Sequence, residues 1–163
     1  MDQKTETNQS LRLQMISHLH NIIDILCRFF LVVMILSVSY VVFGRFVLNN
    51  TPGWGEELGL FCMIWFSLLS VPMAFIDKSH LKMSLMEIIF KGKDLKLIDL
   101  IIYAILLGFS LFMIFYGMKV SILTWPTRMP GMQISRGLLY FSVPVAGVFN
   151  TLILLLMKKE YLW

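Results

Sequence analysis

The side chains most often used for catalysis or metal binding are few and scattered in this sequence. The histidines are His18, His20 and His80, and the cysteines are Cys27 and Cys62. Because they are two residues apart, His18 and His20 point in different directions on a helix, and no Cys/His group has zinc-site spacing. The chain also lacks a phosphate-binding loop and a nucleophile elbow. We therefore expect no catalytic, substrate-binding or metal-ligating residue, no cofactor, and no enzyme activity.

Two acids come closest to lying inside apolar segments of the chain. Asp24 and Arg28 are four residues apart, a spacing at which an acid and a base on one helix form an ion pair. Asp99 precedes an apolar run, where the positive end of a helix dipole favours an acid. A transporter that works alone needs ionisable residues deep within its spans. These residues therefore indicate no ion pathway within the chain itself.

The composition places these residues in a lipid bilayer. Of the 163 residues, 58% are apolar and only 15% are charged, and the mean hydropathy is +0.77. A soluble domain of this size has too little interior for that much apolar surface, and disordered chains carry more charge. We predict an all-α integral membrane protein with one membrane domain over residues 1–163. The net charge of +4 then indicates contact with membrane lipids, not with nucleic acid.

Four apolar segments are long enough to cross a membrane as helices. The predicted spans cover about residues 20–48, 56–76, 97–119 and 137–157. Pro72 and Pro144 fall inside the second and fourth segments, where a proline can kink a helix.

The basic residues are unevenly divided between the two sides that these spans create. Ten lie on the side of both termini and the middle loop, and four lie on the other side. The positive-inside rule therefore predicts that both termini are cytoplasmic. The cytoplasmic group is Lys4, Arg12, Arg28, Lys78, Lys82, Lys91, Lys93, Lys96, Lys158 and Lys159, and the outer group is Arg45, Lys119, Arg128 and Arg136.

Residues 79–91 have the pattern of an amphipathic helix. Leu81, Leu85, Ile88 and Ile89 follow the spacing of one helical face, and polar residues occupy the other. We predict an interfacial helix on the cytoplasmic leaflet. The alternative is a polar connector whose apolar residues contact neighbouring spans.

The pair Glu56-Glu57 opens the second span after a turn-forming segment, and two explanations fit it. Acids in a first helical turn interact favourably with the helix dipole, by under ~1 kcal/mol each. Alternatively, the two carboxylates form a polar clasp to a partner subunit or to the adjacent loop. Trp65 lies farther along the same span, away from the depth where Trp gathers. We expect it to press against another helix, with a lipid-facing position as the alternative.

The stretch from Thr51 to Glu57, Thr-Pro-Gly-Trp-Gly-Glu-Glu, resembles the small membrane subunit of tripartite ATP-independent periplasmic (TRAP) transporters, the DctQ-like family. The family pattern has a Trp two residues before a Glu pair, a Trp within the span, and then a His-hydrophobic pair. Trp54, Glu56, Glu57, Trp65, His80 and Leu81 match it, and Tyr140 to Pro144 resembles the family's entry into the last span.

The chain departs from this pattern at three positions. Leu60 stands where the family commonly has an Arg, and Asp77 and Lys78 stand where one or two Arg commonly precede the His. Lys78 keeps the charge but not the bidentate geometry of an Arg.

The resemblance implies a scaffold subunit of a sodium-coupled transporter that imports an organic acid anion, sialic acid or a C4-dicarboxylate, across the bacterial inner membrane. A large DctM-like subunit would carry the Na⁺ and substrate sites, and a periplasmic binding protein would deliver the substrate. This chain would support the large subunit and help to dock the binding protein. The candidate subunit-interface residues are Trp54, Glu56, Glu57, Trp65, His80, Trp125 and Arg128.

Two other classes of function compete with this reading. The first is a stand-alone small exporter that works as a homo-oligomer and uses Asp24 and Asp99 as its acids. The second is a bilayer-embedded enzyme or redox carrier, which the scarcity of histidine and paired cysteine disfavours.

Overall fold

Over the residues that its computed structural model describes, the protein forms five helices and no β-strand. These are residues 2–50, 52–89 and 94–157, with side chains described over 14–50, 52–74 and 100–157. The helices are α1 Asp2–Phe46, α2 Gly53–Ile89, α3 Asp94–Thr124, α4 Arg136–Tyr140 and α5 Ser142–Leu156.

Four segments of these helices are long and apolar enough to cross a membrane, which confirms the prediction of an all-α fold with four transmembrane helices. They have 21 to 33 residues each. At 1.5 Å of rise per residue, even 21 residues span the roughly 30 Å of a hydrocarbon core. The segments are Gln14–Phe46, Gly53–Ala74, Leu100–Thr124 and Arg136–Leu156.

The helices pack as two pairs. α1 packs along α2 and α3 packs along α5, and the pairs meet mainly between α2 and α5, with smaller contacts of α1 with α5 and of α2 with α4. We call the end that carries the α1–α2 and α3–α4 connectors the outer end, and the opposite end the inner end. The main buried cluster lies toward the inner end, where all four spans contribute apolar side chains: Ile23, Cys27, Leu69, Tyr103, Ile153, Leu154 and Met157.

The fourth span is divided into two helices by a turn at Phe141. Pro144 explains this division because its ring clashes with the carbonyl four residues earlier, so the helix cannot continue unbroken through Tyr140. Pro144 lies in the first turn of α5, where its missing N–H removes no intrahelical hydrogen bond. Its ring packs on Gly117 of α3, where an added Cβ would lie 2.8 Å from Pro144 Cδ. By contrast, Pro72 lies within the uninterrupted α2.

The segment predicted as an amphipathic interfacial helix is helical up to Ile89, as a continuation of α2 without a break. Its side chains lie outside the described ones, as do residues 90 and 91. Its place at the membrane surface stays a prediction.

Candidate functional site

The α1–α2 connector brings the outer ends of the first two helices close together. Asn49 has a positive φ of 48°, a conformation that Asn tolerates better than most residues, and Asn50 N–H donates to Gly44 O at 3.1 Å. At the start of α2, Gly55 N–H donates to Pro52 O at 3.1 Å. The turn therefore returns the chain directly alongside α1.

Gly55 sets the separation between α1 and α2 at this end. The Ser37 hydroxyl donates to Gly55 O at 2.7 Å in a buried hydrogen bond, and an added Cβ on Gly55 would overlap a methyl carbon of Val41. Small residues allow transmembrane helices to approach in this way, and serine supplies the polar contact.

The α3–α4 connector folds into a compact hydrogen-bonded loop. Met129 N–H donates to Ile134 O, and Gln133 N–H donates to Met129 O, both at 2.9 Å. Arg136 N–H donates to Thr127 O at 2.8 Å, and the Ser135 hydroxyl donates to the Trp125 carbonyl at 2.7 Å. The side chain of Met129 is buried beneath the loop. We call residues 124–136 the outer loop.

Glu57 attaches the outer loop to the start of α2. Its carboxylate accepts Gly131 N–H at 3.0 Å on each oxygen, and it accepts Met132 N–H at 2.7 Å. We call this set of bonds the Glu57 clasp. Hydrogen bonds to a charged acceptor are stronger than neutral ones. The loop also lies directly on α2, because an added Cβ at Gly131 would lie 2.6 Å from Gly53 O.

The two glutamates therefore have different surroundings. Glu57 is half-buried and bound to the loop, whereas Glu56 is exposed and has no hydrogen bond or ion pair to the residues whose side chains are described. Of the two explanations for the pair, the clasp to the adjacent loop fits Glu57, and the helix-dipole position in the first turn fits Glu56.

The outer end also presents three of the other predicted site residues. Trp54 stacks on Tyr40 of α1 with 5.6 Å between ring centroids, and 43% of it is exposed. Trp125 is 54% exposed on the outer loop, and Arg128 is exposed there, with its guanidinium 3.4 Å from Gln133 O. The structure thus brings Trp54, Glu56, Glu57, Trp125 and Arg128 to one end of the bundle.

The remaining two predicted site residues lie elsewhere. Trp65 is 11 residues beyond Trp54 on α2, which corresponds to about 16 Å along the helix. It stacks on Phe30 of α1 at 5.5 Å and contacts Phe61 at 5.9 Å, so the prediction that it presses against another helix is confirmed. His80 lies farther along α2, and its side chain is outside the described ones.

Asp24 and Arg28 of α1 form the predicted ion pair. Arg28 Nε donates to Asp24 Oδ1 at 3.1 Å, and a second guanidinium nitrogen contacts the other carboxylate oxygen. The pair lines a groove of about 470 Å³ between α1 and α2, beside Met73 and Ala74 at the inner end of the α2 span. Within the described side chains, no three His, Cys, Asp or Glu residues gather closely enough to hold a metal ion.

One other buried hydrogen bond at the outer end was missed in the sequence. The Ser121 hydroxyl of α3 donates to Gly137 O of α4 at 2.8 Å. Gly137 is packed so closely that an added Cβ would lie 2.6 Å from the Ser121 carbonyl oxygen. A serine three residues before the end of a span and a glycine at the start of the next are the only signal that could have indicated this contact.

Comparison with known families identifies a family model that matches most of the chain. The model of the family described as tripartite ATP-independent periplasmic transporters, DctQ component, matches residues 34–159. This range includes the outer ends of α1 and α2, the whole outer loop and both parts of the fourth span. No curated protein matches the chain.

Proposed function

Since the chain belongs to the DctQ component family of tripartite ATP-independent periplasmic transporters and is a small, multi-pass membrane subunit, we propose that it is the scaffold against which a large transport subunit works. The family is a transporter component, not an enzyme family. In the proposed assembly, a DctM-like subunit carries the substrate and Na⁺ sites, and a periplasmic binding protein delivers the substrate.

The observation that carries this proposal is the Glu57 clasp. It joins the outer loop to α2, so that the exposed Trp125 and Arg128 are presented on a surface braced by several backbone hydrogen bonds. A preorganised surface loses little conformational freedom on binding a partner. With the termini in the cytoplasm, this surface faces the periplasm, where a binding protein docks.

The distribution of charge supports a scaffold role over a transport role. Asp24 and Arg28 lie beside the last turn of the α2 span, and they neutralise each other. The other charged side chains described in the spans lie near the outer end: Arg45, Glu56, Glu57, Lys119 and Arg136. Ion-coupled transport uses ionisable groups within the membrane, so we assign the Na⁺ coupling to the large subunit.

We further propose that the complex lies in the bacterial inner membrane and imports an organic acid anion, either sialic acid or a C4-dicarboxylate. The family resemblance supports this substrate class. The exposed Arg128 adds a positive charge to the surface at which a binding protein would arrive.

Docking of the binding protein tests the role of the outer end. The complex of this chain with the large subunit is immobilised in nanodiscs, and binding of the periplasmic protein is measured for Arg128→Ala and Trp125→Ala. We expect each variant to weaken binding by about tenfold, as substitutions of exposed Arg and Trp anchors do. The control is Arg45→Ala, which removes an exposed arginine from the end of α1. Equal binding by all three variants and the wild type would contradict the docking role.

The stand-alone exporter predicts a different result. It requires efflux by this chain in cells that lack a large subunit, and it requires that Asp24→Asn together with Asp99→Asn abolishes that efflux. Asp24 is already engaged by Arg28, which does not favour a role as a free membrane acid.

A further inference from the structure

Two polar atoms in the middle of the bundle are buried without a hydrogen-bond partner among the described residues. They are the indole Nε1 of Trp65 on α2 and the amide Oδ1 of Asn150 on α5. Asn150 as a whole is only 3% exposed. Neither atom can bond to lipid or to a partner subunit, because both are enclosed by this chain. An unsatisfied polar group in a membrane interior is costly, so each atom requires an explanation.

The two atoms are chemically complementary. An indole N–H donates a hydrogen bond and cannot accept one. The amide oxygen of Asn accepts hydrogen bonds and cannot donate them. A single small molecule that both accepts and donates would satisfy both of them at once.

The register of the helices relates the two residues to the same buried cluster. α2 and α5 both run from the outer end to the inner end, and they pack against each other. Leu69 and Leu154 belong to one buried cluster. Trp65 precedes Leu69 by four residues, and Asn150 precedes Leu154 by four, so each lies about one turn, or 6 Å along its own helix, nearer the outer end than a member of that cluster.

The packing of both side chains also favours a shared site. Asn150 lies on the buried stripe of α5 with Ala146, Ile153 and Met157, which have the spacing of one helical face. Trp65 is held by its ring contacts with Phe30 and Phe61, and it packs against the buried cluster that contains Ile153 and Leu154 of α5.

We propose that one water molecule binds between α2 and α5, where it accepts a hydrogen bond from Trp65 Nε1–H and donates one to Asn150 Oδ1. The two atoms are not hydrogen-bonded to each other, and a bridging water can join polar groups that make no direct bond. Two polar partners meet the minimum that a buried water requires. The water links the α1–α2 pair to the α3–α5 pair, and this site does not depend on the proposed transport function.

Solid-state NMR of the ¹⁵N-tryptophan-labelled full chain in lipid bilayers tests the site. The Trp65 indole signal is identified by its loss in Trp65→Phe, and magnetisation transfer from water to that signal is then measured. We expect clear transfer in the wild type and a drop of about fivefold or more in Asn150→Leu, because the water loses its second anchor. The matched control is Thr151→Val, which removes the neighbouring hydroxyl that bonds Ser110 and the Gly147 carbonyl. It should leave the transfer unchanged.

Three outcomes would overturn the proposal. The first is absence of water transfer to the Trp65 indole in the wild type, a result that requires no variant to fold. The second is undiminished transfer in Asn150→Leu. The third is an equal loss in Thr151→Val, which would indicate that water enters the bundle without a specific site.

Discussion

The outer and inner ends of this bundle are held together by different forces. At the outer end, side-chain and backbone polar groups join the elements: Ser37 to Gly55, Ser121 to Gly137, and Glu57 to the outer loop. At the inner end, the helices pack around an apolar cluster that centres on fully buried side chains such as Leu69 and Ile153.

The difference follows from what surrounds each end. In lipid there is no hydrophobic drive between helices, so the inner cluster depends on close van der Waals packing. The outer connectors contain backbone N–H groups outside any helix, and these need partners. The Glu57 carboxylate is the hydrogen-bond acceptor for the N–H groups of two consecutive residues of the outer loop, Gly131 and Met132. Apolar packing thus holds the helices, and polar bonds give the outer surface its shape.

The largest loss of stability is expected when a buried side chain of the inner cluster is shortened. Leu69→Ala removes a side chain that is 1% exposed within the inner cluster, and it should lower the free energy of unfolding by about 2 to 4 kcal/mol. The measurement is denaturant unfolding in mild detergent, followed by Trp fluorescence. Leu60→Ala, at a side chain of α2 that is 56% exposed, is the control and should change little. Equal losses for the two variants would contradict the account of the inner end.

At the outer end, a large disruption is expected from Gly131→Ala. The new Cβ would meet the backbone of Gly53 at 2.6 Å, so the outer loop must move away from α2 and the Glu57 clasp must lengthen. We expect a loss of about 1 to 3 kcal/mol, typical of an overpacked contact. Gly53→Ala has no atom within 4 Å of the added Cβ and serves as the control, measured by the same unfolding experiment. An unchanged free energy of unfolding in Gly131→Ala would contradict the close contact between the outer loop and α2.

Removing the charge from the clasp should have a smaller effect. In Glu57→Gln the carboxylate that accepts two backbone N–H groups becomes an amide whose NH₂ cannot accept, and stability should fall by about 1 to 2 kcal/mol. Glu56→Gln makes the same chemical change one residue earlier, at an exposed side chain, and should fall within about 0.5 kcal/mol of the wild type. Limited proteolysis of the outer loop gives a second measurement, with faster cleavage expected only for Glu57→Gln. Identical behaviour of the two variants would show that the clasp does not hold the loop.

The smallest effect is expected for a single neutral hydrogen bond. Ser37→Ala deletes the buried bond to Gly55 O and should cost about 1 kcal/mol, since interhelical hydrogen bonds in membranes contribute modestly. Ser39→Ala, on the exposed face of the same helix, is the matched control. Thermal unfolding in detergent compares the two, and a larger loss in Ser39→Ala would argue against the assigned role of Ser37.

The number of membrane helices was predictable because it depends on the length and polarity of local segments. The ion pair of Asp24 with Arg28 was predictable for the same reason, as its partners are four residues apart. The sequence cannot decide between the two explanations for Glu57, because the partners in its clasp are separated by 74 and 75 residues and only packing brings them together.

The division of the fourth span was foreseen only in part. Pro144 indicated a kink within the span, but the place where the helix stops, at Phe141, depends on the ring clash and on the contact with Gly117 of α3. Similarly, the mid-span position of Trp65 predicted a helix contact, but the identity of its partner Phe30 required the pairing of α1 with α2.

The most direct test of the scaffold role is transport itself. Proteoliposomes are prepared with the large subunit alone, with this chain alone, and with both, and uptake of labelled sialic acid or a C4-dicarboxylate is measured with the binding protein and an inward Na⁺ gradient. We predict Na⁺-dependent uptake only when both membrane subunits are present. Equal uptake without this chain, or uptake by this chain alone, would contradict its role as a scaffold.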